Sequence, residues 1–272
     1  MITRRGGNLT LRKAPAPDAS AQLERDGYAH LPEVLAPEAV AALAAEITEV
    51  FETSGPDRVH DERDEFRHGM LNRSPLSQAA IASRAILDVI EPLLGEDCHV
   101  IANTAWRNVA GHQGGTWHTD AGPHVPRGED VPWPEAIPYP VFAIGAHIFL
   151  KDCPLEAGPT AVVPGSHRSG RLPPGGRSTD MDLSYQGRGP VLLPARAGDA
   201  ILFVSDAWHR GTPAETGYDR FFLQCHYARR DIAQRLFMTS EVSHVTPEAA
   251  ARAQSPRDRT LIGLHGPFFY DA

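Results

Sequence analysis

Apolar residues follow two different periods along the chain, and the change comes near residue 98. In "APEAVAALAAEITEVFETSG", Val40, Leu43, Ile47 and Val50 recur at intervals of three and four. That spacing puts them on one face of an α-helix. Pro37 stands where a first-turn proline is tolerated, and Gly55 follows the stop. A second helix is predicted from about Ser74 to Leu94, with Pro92 disturbing its end. From Cys98 the runs are short and β-rich: "CHVIANTAWRNV", "YPVFAIGAHIFL", "TAVVPGS", "PVLLPA", "DAILFVSD" and "RFFLQCHYA". Pro- and Gly-rich turns separate them, and no useful helical pattern intervenes before Pro247. Many short strands so punctuated predict a mainly β sandwich or barrel, not a βαβ fold.

The same reading sets an organisation. Residues 1–20 are polar and Pro/Ala-rich and are expected to be a loose arm. Residues 21–272 are expected to form one domain, with a helical part over about 21–97, a β core over about 98–230 and a packing segment over 231–272. The end of that segment, "RTLIGLHGPFFYDA", is too apolar to hang free. It is expected to pack on the barrel or on a second copy of the chain, which would make a homodimer.

Composition narrows the partners. The 272 residues are 42% apolar and 22% charged, ordinary globular usage. A net charge of −8 argues against nucleic acid or an anionic membrane as the main partner. The cysteines are Cys98, Cys153 and Cys225, odd in number and without a CxxC pair. They suit reduced thiols in a cytoplasmic protein rather than a disulfide framework or a zinc knuckle. The first twenty residues hold no apolar signal region, and no apolar run reaches the roughly eighteen residues of a membrane helix. "GGNLT" and "PPGGRS" lack the strand and helix context that phosphate binding needs.

The stretch with chemistry is "GGTWHTDAGPH". Residues two apart in a strand share a face, so His118 and Asp120 can present an imidazole and a carboxylate to one point. That pair suits a divalent first-row metal such as iron(II), and Trp117 could wall the site. Alone, an HxD is weak. Further on, "AGDAILFVSDAWHRGTPAETGYDR" carries an apolar strand to His209, and Arg220 opens another. Taken singly, His209 reads as a structural histidine and Arg220 as a surface ion-pair partner. Together with the HxD they gain weight as a site.

At this point the chain resembles a known family. "WHTD", "LKDCPLEAGPTAVVPGSHRSG" and "AGDAILFVSDAWHRGTPAETGYDR", with the opening "DGYAHLPEVLAPEAV", are similar to the phytanoyl-CoA dioxygenases, iron(II)/2-oxoglutarate-dependent oxygenases. The resemblance runs from about 26 to 230. It implies a double-stranded β-helix (a jelly roll, cupin-like) with helices packed outside. It makes His118, Asp120 and His209 the metal triad, and Arg220 the clamp on the distal carboxylate of 2-oxoglutarate. The family often has a hydroxyl residue two positions after the distal histidine. Gly211 stands there and Thr212 follows, which puts a cosubstrate contact from Thr212 in question. The implied cofactors are Fe(II), 2-oxoglutarate and O2. The implied reaction is oxidation of a small organic molecule, most simply hydroxylation, with release of succinate and carbon dioxide. Because Asp120 is a carboxylate, and related halogenases have a small residue there, oxygenation is favoured over halogenation, although desaturation, epoxidation or ring formation can use the same triad. The substrates of the family range over acyl-CoA thioesters, amino-acid derivatives and secondary metabolites.

Further side chains are candidates by alternation. Ile101, Asn103, Ala105 and Arg107 share one face, from which Asn103 could reach the cosubstrate inside the barrel. Arg107 reads either as a substrate contact or as a rim charge. His147 lies opposite Ile144, Ala146 and Ile148, and reads equally as a core histidine bonded to backbone or, by the resemblance, as a residue near iron or substrate without being a ligand. "DEFRHGMLNRSP", with Arg67, His68 and Arg73, reads first as a solvated loop and second as a lid on a polar substrate. His167 in PGSH is expected to brace a turn, whereas His112, His124 and His226 carry no alternation argument. Two other classes compete. A cupin-like metal enzyme that does not use 2-oxoglutarate would need no arginine at 220. A non-catalytic β-sandwich binding module would bind no iron.

Overall fold

Strand Ala143–Phe149 is buried at every position, which requires cover on both of its faces. The computed structural model describes residues 2–5, 8–11, 18–55, 58–59, 64–129, 131, 133–134, 136–236 and 245–265. Along the chain the strands are β1 (Ile2–Arg5), β2 (Asn8–Leu11), β3 (Tyr28–Leu31), β4 (Arg58–Val59), β5 (Asp64–His68) and β6 (His99–Asn108). Next come β7 (Ala143–Phe149), β8 (Thr160–Val162), β9 (Val191–Leu193), β10 (Ala200–Val204), β11 (His209–Gly211) and β12 (Arg220–Ala228). The α-helices are α1 (Asp18–Asp26), α2 (Pro37–Thr53), α3 (Met70–Arg73), α4 (Pro75–Ala80), α5 (Arg84–Leu94), α6 (Pro247–Arg252) and α7 (Pro256–Leu261).

Seven strands make the large sheet in the order β3-β10-β7-β12-β6-β5-β4, and β11-β8-β9 make a small one. All these pairings are antiparallel. A further bridge pairs His118 with His209 and extends the small sheet by one position. Alternation divides the side chains. Ile144, Ala146, Ile148, Leu202, Leu223, Cys225 and Tyr227 meet the helices in one cluster. Phe149, Ile201, Phe203 and Phe222 point the other way and meet Val162 and Leu193 of the small sheet. This is the jelly roll, with the helices outside the large sheet and an aromatic interior between the two sheets. Burial of each such phenylalanine contributes about 2–3 kcal/mol, and the rings fill a space that would otherwise admit water.

Helix α2 matches its predicted stretch, although Phe51 joins Val40, Leu43 and Ile47 on the buried face and Val50 lies at its edge. The helix expected over 74–94 is two helices. Between them Ile81 offers its carbonyl to the Tyr227 hydroxyl at 2.8 Å, and the chain turns at Ala82 and Ser83 before α5 begins. Pro92 lies inside α5, which continues to Leu94 and stops at Gly95, whose φ is 108°. Within the stretch expected to be a loose arm, β1 and β2 pair as a hairpin, and α1 starts at Asp18. The stretch read as a solvated loop is strand β5 followed by α3, with Arg67 2% exposed. The C-terminal segment packs on its own chain as far as it is described: Arg252 binds Gln78 and the Leu71 carbonyl, and Leu261 and Ile262 are buried. Residues 266–272 lie outside the described residues. No described helix is long and apolar enough to cross a membrane.

Candidate metal centre

The bridge that extends the small sheet also builds the site. His118 and His209 exchange backbone hydrogen bonds of 3.0 Å each way, so their side chains leave the paired backbones on the same face. That face is the interior one, because His209 lies opposite Val162. Two residues on, the Asp120 N–H donates to the Ser205 carbonyl at 3.1 Å and brings the carboxylate alongside. The imidazole centroids are 4.3 Å apart. Asp120 Oδ1 lies 3.4 Å from His209 Nε2 and 4.0 Å from His118 Nε2.

Each imidazole is fixed in the same way. His118 Nδ1 is 2.7 Å from the carbonyl of Thr116, and His209 Nδ1 is 2.9 Å from that of Ala207. A carbonyl only accepts, so each Nδ1 carries a proton, and Nε2 is the nitrogen whose lone pair the neutral ring offers to a metal. Donors about 2.1 Å from a metal and at right angles to one another stand about 3 Å apart. One ligand atom from each residue lies within 4.8 Å of the others, so a small contraction closes the set around one ion. Two nitrogens and a carboxylate oxygen on one face suit an iron(II)-type ion with open positions. The cup is closed behind His209, 4% exposed, and open at His118, 47% exposed.

Electrostatics agree with a site that prefers a cation. Burial, and then the nearby His209, push the His118 pKa down to about 4. Burial acts the same way on His209, but the Asp120 carboxylate outweighs it and raises the pKa. Burial opposes the charge on Asp120, yet His226 and His209 hold its carboxyl well below the usual range. His226 is the residue that sequence reasoning missed. Its Nε2 lies 2.9 Å from Asp120 Oδ2. Alternation from Arg220 through Phe222 and Gln224 would have reached it.

Arg220 lies on that same interior face of β12, 6% exposed. Its Nε donates to Asn108 Oδ1 at 3.0 Å and its Nη1 to the Gly158 carbonyl at 2.8 Å. His147 stands between the two ends: its ring is 4.9 Å from Phe203 and 4.5 Å from Phe222, and Phe203 in turn is 4.4 Å from His209. Gln224 accepts from Trp106 Nε1 at 2.7 Å, so its amide nitrogen, 3.4 Å from His147 Nε2, donates there. His147 Nδ1 faces the Thr160 hydroxyl at 3.3 Å. Burial, with Arg220 adding to it, holds the His147 pKa well below its ordinary value. A neutral, doubly engaged imidazole here is a wall of the site and not a donor to a metal.

Other candidates lie elsewhere. Asn103 is in register with Cys225, on the helix side of the sheet, and donates to the Gln224 carbonyl. The interior positions of β6 are instead Ala102, Thr104, Trp106 and Asn108. Arg107, in register with Phe221, binds Glu65 at 3.0 Å and lies over Phe51, away from the interior. Arg67 is buried against the same ring and donates to the carbonyls of Phe51 and Ser54, so it ties α2 to the sheet. The Thr212 hydroxyl donates to the Pro159 carbonyl at 2.7 Å, next to the pairing of β11 with β8. Trp117 does not wall the site: it packs with Trp208 and Tyr185 on the outer side of the small sheet. A cavity of about 460 Å³ opens on that outer side, against Tyr185 and Trp208, and contains none of the metal donors. His167 does brace its turn, donating to the Glu24 carbonyl. His112 binds the Ala157 carbonyl. His124 and Tyr139 share the carboxylate of Asp206, at 2.5 and 2.7 Å, and pin the segment after the HxD pair to the turn before His209.

A family model described as phytanoyl-CoA dioxygenase matches residues 23–222. No curated protein matches the sequence. Among solved structures, the chain resembles the non-heme α-ketoglutarate-dependent epimerase SnoN from nogalamycin biosynthesis, with 22% identity over 82% of this chain and 86% of that one, at a TM-score of 0.64. The carbocyclase SnoK from the same biosynthesis gives 19% identity over 84% and 88%, at 0.61. HygX from Streptomyces hygroscopicus, with nickel and 2-oxoglutarate bound, gives 14% identity over 85% and 95%, at 0.63. At these identities the structures speak for the fold.

Proposed function

Because the chain belongs to the phytanoyl-CoA dioxygenase family and is an iron(II)/2-oxoglutarate-dependent dioxygenase, we propose that it hydroxylates, or otherwise oxidises, a small organic substrate at a centre held by His118, Asp120 and His209. The convergence of two imidazole lone pairs and one carboxylate on the interior face carries this reading. Iron(II) bound there supplies oxygen activation coupled to decarboxylation of 2-oxoglutarate to succinate and carbon dioxide. The protein's own part is positioning. The carbonyls of Thr116 and Ala207 hold both Nε2 atoms toward the ion. Arg220, on the same face, is the grip for the distal carboxylate of the cosubstrate, a role that suits a buried planar guanidinium. Phe203, Phe222 and His147 line the space between and keep water out. Three free, buried cysteines support a reducing compartment such as the cytoplasm.

Anaerobic titration of the metal-free protein with iron(II) and then 2-oxoglutarate tests the assignment through the weak visible charge-transfer band. Arg220→Ala is expected to keep iron binding and to lose about 3 kcal/mol, roughly 100-fold, in cosubstrate affinity. Unchanged cosubstrate affinity in that variant would remove Arg220 from the site. Loss of the band in the unaltered protein would remove the whole centre.

A further inference from the structure

We propose that His226 is a positioning residue of the metal centre, which holds Asp120 to the ion through a single oxygen. The inference rests on the proposed centre and concerns a residue outside its three donors. The two oxygens of Asp120 face different partners. Oδ1 is the one 3.4 Å from His209 Nε2 and 4.0 Å from His118 Nε2. Oδ2 is 2.9 Å from His226 Nε2. A carboxylate bound to a metal through Oδ1 can only accept at Oδ2, so His226 Nε2, 2.9 Å away, is the donor. A charge-assisted hydrogen bond of this kind engages Oδ2 and leaves Oδ1 to face the histidine pair.

The surrounding strands are shaped to seat this ring. The cross-strand neighbours of His226 are Gly145 on β7 and Ala102 on β6, both small. A Cβ added at Gly145 would stand 3.2 Å from His226 Nε2 and 2.6 Å from the Phe203 ring. Gly145 is therefore where both rings find room. The register of β12 against β6 shifts between His226 and Tyr227, and pairing resumes with Tyr227 opposite Val100. With its N–H on Ser205 and its Oδ2 on His226, Asp120 is fixed at both ends.

Denticity matters to the reaction. Two imidazoles and one carboxylate oxygen fill half of an octahedron and leave three positions for cosubstrate and oxygen. A carboxylate bound through both oxygens would take one of those three. Outer partners of this kind commonly change metal affinity 10–100-fold when removed.

The test compares His226→Phe, which keeps a ring and removes the donor, with His226→Gln, whose amide nitrogen can replace Nε2–H. Cobalt(II) is titrated alone into each metal-free protein, and affinity and the visible cobalt spectrum are read together. His226→Phe is expected to bind about 10–100-fold more weakly, with an altered spectrum. His226→Gln is expected to restore both, while urea midpoints confirm that the variants are folded. A His226→Phe protein with unaltered affinity and spectrum overturns the inference. So does a His226→Gln protein as weak as His226→Phe, which would make the imidazole a ligand itself. If the unaltered protein binds no cobalt(II) or iron(II), the centre itself falls, a failure the wild-type titration shows before any variant is compared.

Discussion

At position 211 an added Cβ would stand 2.8 Å from Arg220 Nη2 and 3.1 Å from Nη1. The guanidinium occupies the space that a side chain on β11 would fill, and its bonds to Asn108 and Gly158 prevent it from yielding freely. This explains why glycine stands where the family resemblance led one to look for a hydroxyl. Gly211→Ala should displace the clamp while leaving the triad intact. The expected result is cosubstrate binding weaker by about tenfold, ~1.4 kcal/mol, with iron affinity unchanged. Calorimetric titration of 2-oxoglutarate into the iron-loaded variant checks it, and wild-type affinity would mean the guanidinium relocates without cost. At the residue scale much of the site could be read in the sequence. His209 and Arg220 each open a strand, and the HxD spacing marks His118 and Asp120, which meet β11 through an isolated bridge rather than a strand of their own. Asn103 misled because alternation sorts β6 into two sets without saying which set faces inward. The register of Asn108 against Arg220 makes that choice.

Between elements, the hydroxyl of Tyr227 is the joint that couples β12 to the helices. It is buried, and its proton goes to the Ile81 carbonyl where α4 gives way to α5. Periodicity predicts one helix through this point because the apolar spacing runs on unbroken. A carbonyl captured by a side chain 146 residues away leaves no local mark. Tyr227→Phe leaves that carbonyl buried without its partner and is expected to destabilise the fold by about 1–2 kcal/mol, with little change in the urea slope. Equilibrium unfolding measures it. An unmoved midpoint would show that water or the backbone replaces the hydroxyl.

Over the whole molecule, the PGSH turn links the first helix to the small sheet. His167 binds the Glu24 carbonyl, and the Ser166 hydroxyl accepts from the Trp208 N–H. Burial, with Arg168 adding to it, pushes the His167 pKa down to about 4. In the unfolded chain the same group takes its proton near 6.5. Between those values the unfolded state binds more protons, so stability falls as the pH drops from about 6.5 toward 4. Each pH unit in that window costs up to ~1.4 kcal/mol per histidine, and His99, also lowered to about 4, adds its share. His167→Gln is expected to narrow the difference in unfolding free energy between pH 7 and pH 5. An equal difference in variant and wild type would show that His167 is already protonated in the fold.

The sequence by itself determined the class of fold, the first long helix and the strand texture after Cys98, and its family resemblance singled out four candidate side chains for the metal and the clamp. The elements rest on short-range spacing and residue type and the four side chains on matched motifs, all of which can be read without knowledge of partners. Tertiary structure alone decided which face of β6 looks inward, where the second helix breaks and that Arg67 and Arg107 are tied to α2 and β5. It also decided that His226 meets Asp120 across 106 residues. Those outcomes depend on register between strands distant in the chain. Shifting a strand by one residue exchanges its two faces, and nothing local in the sequence records which register the packing will choose.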